Sequence, residues 1–503
     1  MRGNRCRNPG VGRMLDPWTP QSQAEPTPGS EGMKRARWLD RATAIRGGHS
    51  RARLGATRAR ARFLLLSAAW LAVMASGLEA QRVTLPDSTE VTAIVAGRLI
   101  DGVDGGVREN VTILVRGTRL EAVGTDVAVP AGATRIDLSG HTVMPGFIDL
   151  HTHITSDPGT GRESGLRRWP GHLAIAGVMN ARITLEAGFT TIRNVGSDDF
   201  ADVALRDAIN AGMVPGPRIY TAVHSLGITG GHCDNNGYRP DIFEEPGVEE
   251  GIAQGIERVR EAVNYQIKYG ADVIKFCATG GVLSLGTAVG VQQYTEEEMV
   301  VLVQTANLAE RTVAAHAHGL DGIKAAVRAG VTSIEHGSML DDETVRLMAE
   351  HGTYLVPTMM AFEDVRQRAL AGTLGGLPGL KALEIYPYFR ESIQLAMRAG
   401  VKIGFGTDAG VFPHGENAGE FGLLVDVGMS PADAILAATR EAAKVLHRTE
   451  ELGSVEAGKV ADLVAVRGDP LEDIDLLRNI DFVMKDGVVF KQDGRGARRP
   501  ATE

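Results

Sequence analysis

A chain of 503 residues has room for one large and one smaller domain, and its mixed, mildly acidic charge (net −9) argues against a nucleic-acid binder. Three cysteines are too few for a disulfide scaffold, and 62 glycines suit many tight turns between short elements rather than one long helical bundle.

Residues 1–62 are rich in Arg, Pro, Gly and Ser and end in RARLGATRARAR, followed by FLLLSAAWLAVMASGLEAQ. A basic flank, an apolar core of about 7–15 residues and small residues after it describe a secretory signal peptide. Cleavage is expected after Gly77 or Ala80, giving a periplasmic or secreted protein without stable membrane insertion. An N-terminal membrane anchor is the alternative, because Leu78 and Glu79 are poor neighbours for cleavage. No cysteine sits just after the apolar core, which argues against a lipoprotein anchor. The basic flank is unusually long, and Met33 is a candidate start. Residues 1–80 are therefore set aside from the fold. Cys6 lies among them, and Cys233 and Cys277 are expected as free, buried or half-buried thiols rather than as a pair.

Short alternating strands with glycine turns fill residues 91–142 (VTAIVAGRLIDG, VTILVRGTRLEAVG, TRIDLSGHTV), and residues 452–492 have the same texture. Neither segment has enough strand to close a layer alone. The two, bounded as 88–142 and 446–492, are expected to pair into one small β-sandwich, with 493–503 a frayed tail.

Between them, in 143–445, a helix-like segment repeatedly ends in Gly and is followed by a β-branched run: EAGFTTIRN, KYGADVIKF, RAGVTSIEH, EHGTYLVPT and RAGVKIGFG. Thr295 and Glu298 in TEEEM read as a capping box, and Asp321 as the cap of the next helix. Adding VMPGFIDL, RIYTAVHSL and TVAAHAHG makes eight strands alternating with helices. The expected fold is α/β: a (β/α)8 TIM barrel with a β-sandwich built from both chain ends. A doubly wound open sheet is the runner-up, and no GxGxxG fingerprint supports it.

Chemistry-bearing residues fall at the C-terminal ends of these strands, where barrel active sites sit. His151 and His153 end the first strand and share a face. Lys275 is on the fourth strand, His316 and His318 on the fifth, His336 on the sixth and Asp408 on the eighth. Imidazoles and a carboxylate suit Zn2+ and related divalent ions. A lone HxH, core histidine or capping aspartate has a bland structural explanation; their joint placement points to a metal site. Lys275 stands in the apolar run ADVIKFCATGG, where an unpaired ammonium is costly.

GFIDLHTH, the lysine of the fourth strand, AAHAHG, SIEHG and GTDAG together resemble, in order, the amidohydrolase superfamily. The resemblance covers residues 88–492 and is to the branch of imidazolonepropionases and metal-dependent Xaa-Pro dipeptidases (prolidase-like enzymes). It implies two divalent metal ions, zinc being the expected species. His151, His153 and Asp408 would hold one, His316 and His336 the other. Lys275, carboxylated by CO2, would bridge both. It further implies a hydroxide nucleophile between the ions and Asp408 as the proton carrier.

His318 is a candidate substrate contact, with a structural role as the alternative, and His232 in TGGHCDNNGYRP a candidate ligand for a substrate carboxylate. Tyr238, Arg239, Arg193 and Tyr220 are further candidates for that carboxylate, and Cys277 falls near the metals. The expected activity is cleavage of the C–N bond of a dipeptide or N-acyl amino acid, Xaa-Pro substrates first. Ochratoxin-like amides and imidazolonepropionase-like cyclic amides are the alternatives, with the latter disfavoured by Lys275 and by export. A non-catalytic binding barrel is disfavoured because all six ligand positions are filled. The expected partner is a small molecule or dipeptide, and the expected assembly is a homo-oligomer.

Overall fold

The computed structural model describes residues 82–158, 166–242 and 244–496; the expected signal peptide, its expected cleavage sites and Cys6 lie outside the described residues. Among those residues no helix is long and apolar enough to cross a membrane.

The chain opens with β1 (Val91–Ile100), β2 (Val107–Arg116), β3 (Arg119–Gly124) and β4 (Thr134–Pro145). There follow β5 (Phe147–Thr152), β6 (Phe189–Asn194), β7 (Arg218–Thr221), β8 (Val273–Cys277), β9 (Thr312–Ala317), β10 (Ser333–His336) and β11 (Tyr354–Val356), separated by helices or long connections. The last strands are β12 (Leu463–Arg467), β13 (Phe482–Lys485), β14 (Val488–Gln492) and β15 (Arg495–Gly496).

Both chain ends enter one continuous sheet, ordered β15-β14-β13-β12-β4-β1-β2-β3. β4 is the joint: it runs parallel to β1 and antiparallel to β12. The sheet has its own apolar core, including Ile94, Val111, Ile136, Leu463 and Phe482. Two boundaries differ from expectation. The run VMPGFIDL is split at Gly146, whose N–H donates to Asp462 O and whose missing side chain leaves room for Thr190. Residues 143–145 therefore belong to this sheet, and the parallel strand starts at Phe147. At the other end, Arg495–Gly496 forms a short hairpin partner for β14 instead of fraying.

The parallel strands form two sheets, β5-β6-β7 and β8-β9-β10-β11. Backbone bonds link them on both sides. Leu226 N–H donates to Lys275 O at 2.8 Å and Cys277 N–H to Leu226 O at 2.9 Å. Residues 401–405, the expected eighth strand, give only an isolated bridge between Leu355 and Ile403, because their bonds are divided between two neighbours. Gly404 N–H donates to Leu355 O and Leu150 N–H to Phe405 O, each at 2.9 Å. The result is a TIM-barrel-like α/β fold.

The helix-Gly-strand pattern has the physical basis expected of it. Gly188, Gly270, Gly330, Gly352 and Gly400 all sit at positive φ, where a residue with a Cβ is strained. The capping box at Thr295 and Glu298 is formed. Asp321, however, is no cap: the helix Leu320–Ala329 starts at Gly319, which is held extended against Gly290, and Asp321 lies exposed in the first turn. There it still complements the helix dipole.

Candidate metal centre

A cavity of about 420 Å³ opens at the C-terminal ends of the parallel strands, lined by His151, His153, Lys275, His316, His336 and Asp408 together with His232 and His318. Side chains alternate along a strand, so β5 presents Asp149, His151 and, just past its end, His153 on one side. Two ligand candidates break regular strand geometry. His336 and Asp408 have φ of 73° and 62°. Such strain in non-glycine residues at a cavity points to a site that dictates side-chain direction over local preference. On β10 it lets both Glu335 and His336 serve the site, which simple alternation would forbid.

His151 Nε2 and His153 Nε2 stand 3.6 and 3.3 Å from Asp408 Oδ1. The three residues can offer one ligand atom each within 4.8 Å of one another. His316 and His336 lie beyond, with ring centroids 4.6 Å apart, and His151 and His336 are 5.0 Å apart. Asp408 Oδ1 and His316 Nε2 are buried without a hydrogen-bond partner. The ligand-type imidazoles are also oriented from behind. Nδ1 of His151 meets Glu335 Oε2 and Nδ1 of His336 meets Thr358 Oγ1, both at 2.7 Å, and Nδ1 of His153 meets Gly196 O at 3.1 Å. Each leaves Nε2 for the cavity, the arrangement that metal-ligating histidines adopt. The donor set therefore fits a divalent ion.

Burial holds all these imidazoles neutral, as ligands must be. It lowers His151, His316 and His336 well below the usual range, with Lys275 adding to the shift in each. Burial, then Lys275, lowers His153 to about 4. The Lys275 charge thus reaches imidazoles of both groups. Burial lowers Lys275 itself to about 8, against the pull of Glu335 and Asp408. It raises Asp408 to about 7, opposed by Lys275.

His318 lines the cavity, its Nδ1 2.7 Å from Ser338 Oγ, and burial lowers it to about 3. His232 stacks on His316 with centroids 4.1 Å apart. Four other candidates for a substrate carboxylate are not brought to the cavity lining. Arg193 is wholly buried beneath it, with Nε on Leu150 O at 2.5 Å, Nη1 on Ser333 Oγ at 3.0 Å and Nη2 on Glu335 Oε1 at 2.7 Å. Its donors are spent on the barrel interior. Tyr220 packs against the apolar cluster of Ile148, Leu150 and Tyr354, and its hydroxyl accepts from Arg448. Arg239 is exposed and forks onto Asp241 at 3.0 and 2.7 Å, and its neighbour Tyr238 stays outside the lining with it. The expectation of free thiols is also corrected. Cys233 and Cys277 form a disulfide, because the segment after β7 folds over the end of β8 and brings the Cα atoms to 6.0 Å.

The structure adds residues that strand patterns alone did not single out. Glu335 is a buried hub that takes hydrogen bonds from Ser333 and Arg193 and meets His151. Its only sequence signal was adjacency to His336. Asp149 is buried, accepts from Thr407 Oγ1 at 2.6 Å and Asn417 Nδ2 at 2.8 Å, and so holds the segment carrying Asp408. Two positions before His151, it was visible as a same-face carboxylate. Lys381, from the helix Gly376–Arg398, donates to Gly281 O at 3.1 Å, Ser284 O at 2.8 Å and Thr287 O. Those carbonyls belong to the segment after β8, and no local pattern announces such a contact.

A TIM-barrel-like fold with these side chains at the carboxyl ends of its strands carries a candidate metal-binding group where barrel active sites sit. The Amidohydrolase family model matches residues 142–490, and the chain belongs to the amidohydrolase family. It is 35% identical to ochratoxinase from Aspergillus niger over 445 residues, 82% of this chain and 88% of that protein. The crystal structure of a Xaa-Pro dipeptidase with bound methionine in the active site is 40% identical with a TM-score of 0.78, and spans 80% of this chain and 100% of that one. A prolidase complexed with N-methylphosphonate-L-proline is 32% identical with a TM-score of 0.75, over 80% of this chain and 100% of that one. Family and relatives make this chain a hydrolase acting on C–N bonds.

Proposed function

We propose that the chain is an exported, binuclear amidohydrolase that cleaves the amide bond of a dipeptide or N-acyl amino acid, with Xaa-Pro dipeptides as the leading substrates. The observation that carries this reading is the convergence of His151, His153, Lys275, His316, His336 and Asp408 on one cavity. His151, His153 and Asp408 would hold one ion, His316 and His336 a second, and carboxylated Lys275 both; zinc suits the donors. Bound divalent metal supplies Lewis acidity toward a scissile carbonyl and makes water more acidic.

The chain's own residues complete the chemistry. Asp408, whose carboxylate reaches the cavity beside His151 and His153, is suited to accept a proton from the attacking water and return it to the leaving nitrogen. His232 and His318 contact the substrate as hydrogen-bonding imidazoles, with His318 in the catalytic set through its place beside His316. The disulfide supports export, since such bonds persist in oxidising compartments. In the finer reading of the fold, the strand ring is a (β/α)8 barrel and the sheet of both chain ends a folded sandwich. A homo-oligomer is supported by Ile175, Met179 and Ile183, which expose an apolar stripe at helical spacing on Gly171–Glu186.

A second reading, hydrolysis of ochratoxin-like N-acyl amides of aromatic amino acids, is favoured by the apolar wall of Leu173, Val282, Phe362 and Val365. One experiment serves both: metal analysis, followed by a panel of dipeptides and N-acyl amino acids varied on either side of the bond. Protein that holds no metal and cleaves no amide after refolding with Zn2+ and bicarbonate would sink the proposal.

A further inference from the structure

The disulfide joins two segments that each carry a cavity residue. Cys277 ends β8 two positions after Lys275, and Cys233 directly follows His232. The His232 ring lies nearly parallel to that of His316, at 26°, and fills the space a side chain at Gly281 would need. Gly227 likewise leaves room for the bridge, since a Cβ there would stand 2.8 Å from that of Cys233.

Several bonds of this segment are internal. Gly230 N–H donates to the Asp234 carboxylate at 2.7 Å, Gly231 N–H to Ile228 O at 2.9 Å, and Asn236 Nδ2 to Gly231 O. These shape the turn without fixing it to the strands. Attachment near His232 includes Gln293 Oε1, which accepts from His232 N–H at 3.1 Å, and the disulfide one residue on. A covalent bridge at the residue next to His232 limits the pivot of that main chain in a way that hydrogen bonds, which break and re-form, do not.

We propose that Cys233–Cys277 is a positioning cross-link that holds His232 in place over His316, so that the substrate site is complete only with the bridge formed. The substrate part of this inference rests on the amide-hydrolase reading; the cross-link itself is tested independently. Non-reducing peptide mapping of the full-length protein should recover the peptides of Cys233 and Cys277 joined. In C233S/C277S, bound zinc and kcat should stay near those of the unaltered protein, while KM for the dipeptide Met-Pro rises about tenfold or more. H232A should give a similar rise, and the triple variant no further one, because both changes remove the same contact. Free thiols at the two positions, an unchanged KM in C233S/C277S, or additive effects overturn the proposal. If no dipeptide or N-acyl amino acid is cleaved, the proposed function fails, and proteolysis within residues 228–242 still reads the cross-link. C233S/C277S should then be cut faster than the unaltered protein, and equal rates overturn the inference.

Discussion

Lys275 shows how burial sets the chemistry of one side chain. With its pKa lowered to about 8, roughly a tenth is uncharged amine at pH 7, far more than for an ordinary lysine, and the uncharged amine is the form that adds CO2. Lys275→Ala should lose most bound metal, measured by elemental analysis; near-normal metal content and activity without added carboxylates would exclude a bridging role. Asp408→Asn keeps a similar shape but cannot carry a proton, so kcat should fall about a hundredfold or more with little change in KM. A change confined to KM would assign Asp408 to binding instead. The buried imidazoles also fix a pH dependence for metal-free protein. His153, His318 and His414, lowered by burial to about 4, 3 and 4, take up protons later in the folded than in the unfolded state. Stability from them is present above pH 6.5 and is lost as pH falls toward 4. Asp149, Asp408 and Glu420, raised by burial to about 6, 7 and 8, and Asp198 and Asp202, also raised, act in the opposite sense, but His141, His151, His316 and His336 are lowered by burial as well, so among the described residues seven lowered imidazoles face five raised acids. Chemical denaturation of metal-free protein at pH 5 and 7 should therefore give the lower stability at pH 5, and the reverse order would refute the balance.

At the scale of elements, contacts between neighbours that are distant in sequence hold the cavity. Glu335 on β10 links Arg193 on β6 to His151 on β5, so one carboxylate spans strands across the barrel interior. Lys381 does the same for the cavity rim, placing an ammonium among carbonyls of the segment after β8. Lys381→Met keeps the aliphatic stem but leaves those carbonyls without a donor, and should destabilise the protein by about 2–4 kcal/mol. Hydrogen exchange should rise most in residues 281–287; uniform protection across the molecule would show that the contact is dispensable.

The whole molecule couples its fold to its site because ligands come from strands far apart in the chain. His151 and Asp408 are separated by most of the barrel, yet Asp408 N–H donates to His151 O at 2.7 Å where the ring closes. A divalent ion held by both would add to that closure and bind the folded state alone. Chelation should therefore lower Tm, and added Zn2+ restore it, by an amount that grows with the logarithm of free metal. A Tm insensitive to chelator would mean that the site contributes nothing to closure.

Much of this protein was legible in one dimension, because the governing forces were local. Glycine after a helix end marked the start of several parallel strands, since only Gly takes positive φ without strain. The capping box at Thr295 was readable for the same reason. The convergence of the histidines, Lys275 and Asp408 on one cavity was readable because their joint placement at the ends of several strands, unlike any one of them alone, lacks a bland explanation. What lay beyond reach depended on distance across space. Arg193 was a candidate for a substrate carboxylate, and only the barrel interior, with Glu335 and Ser333 there as partners, made it a buried strut. Cys233 and Cys277 looked like separate thiols until the segment after β7 folded over β8. Local patterns determine which residues can do chemistry; tertiary packing, which sets burial and partners, decided which of them face the cavity and in what charge state.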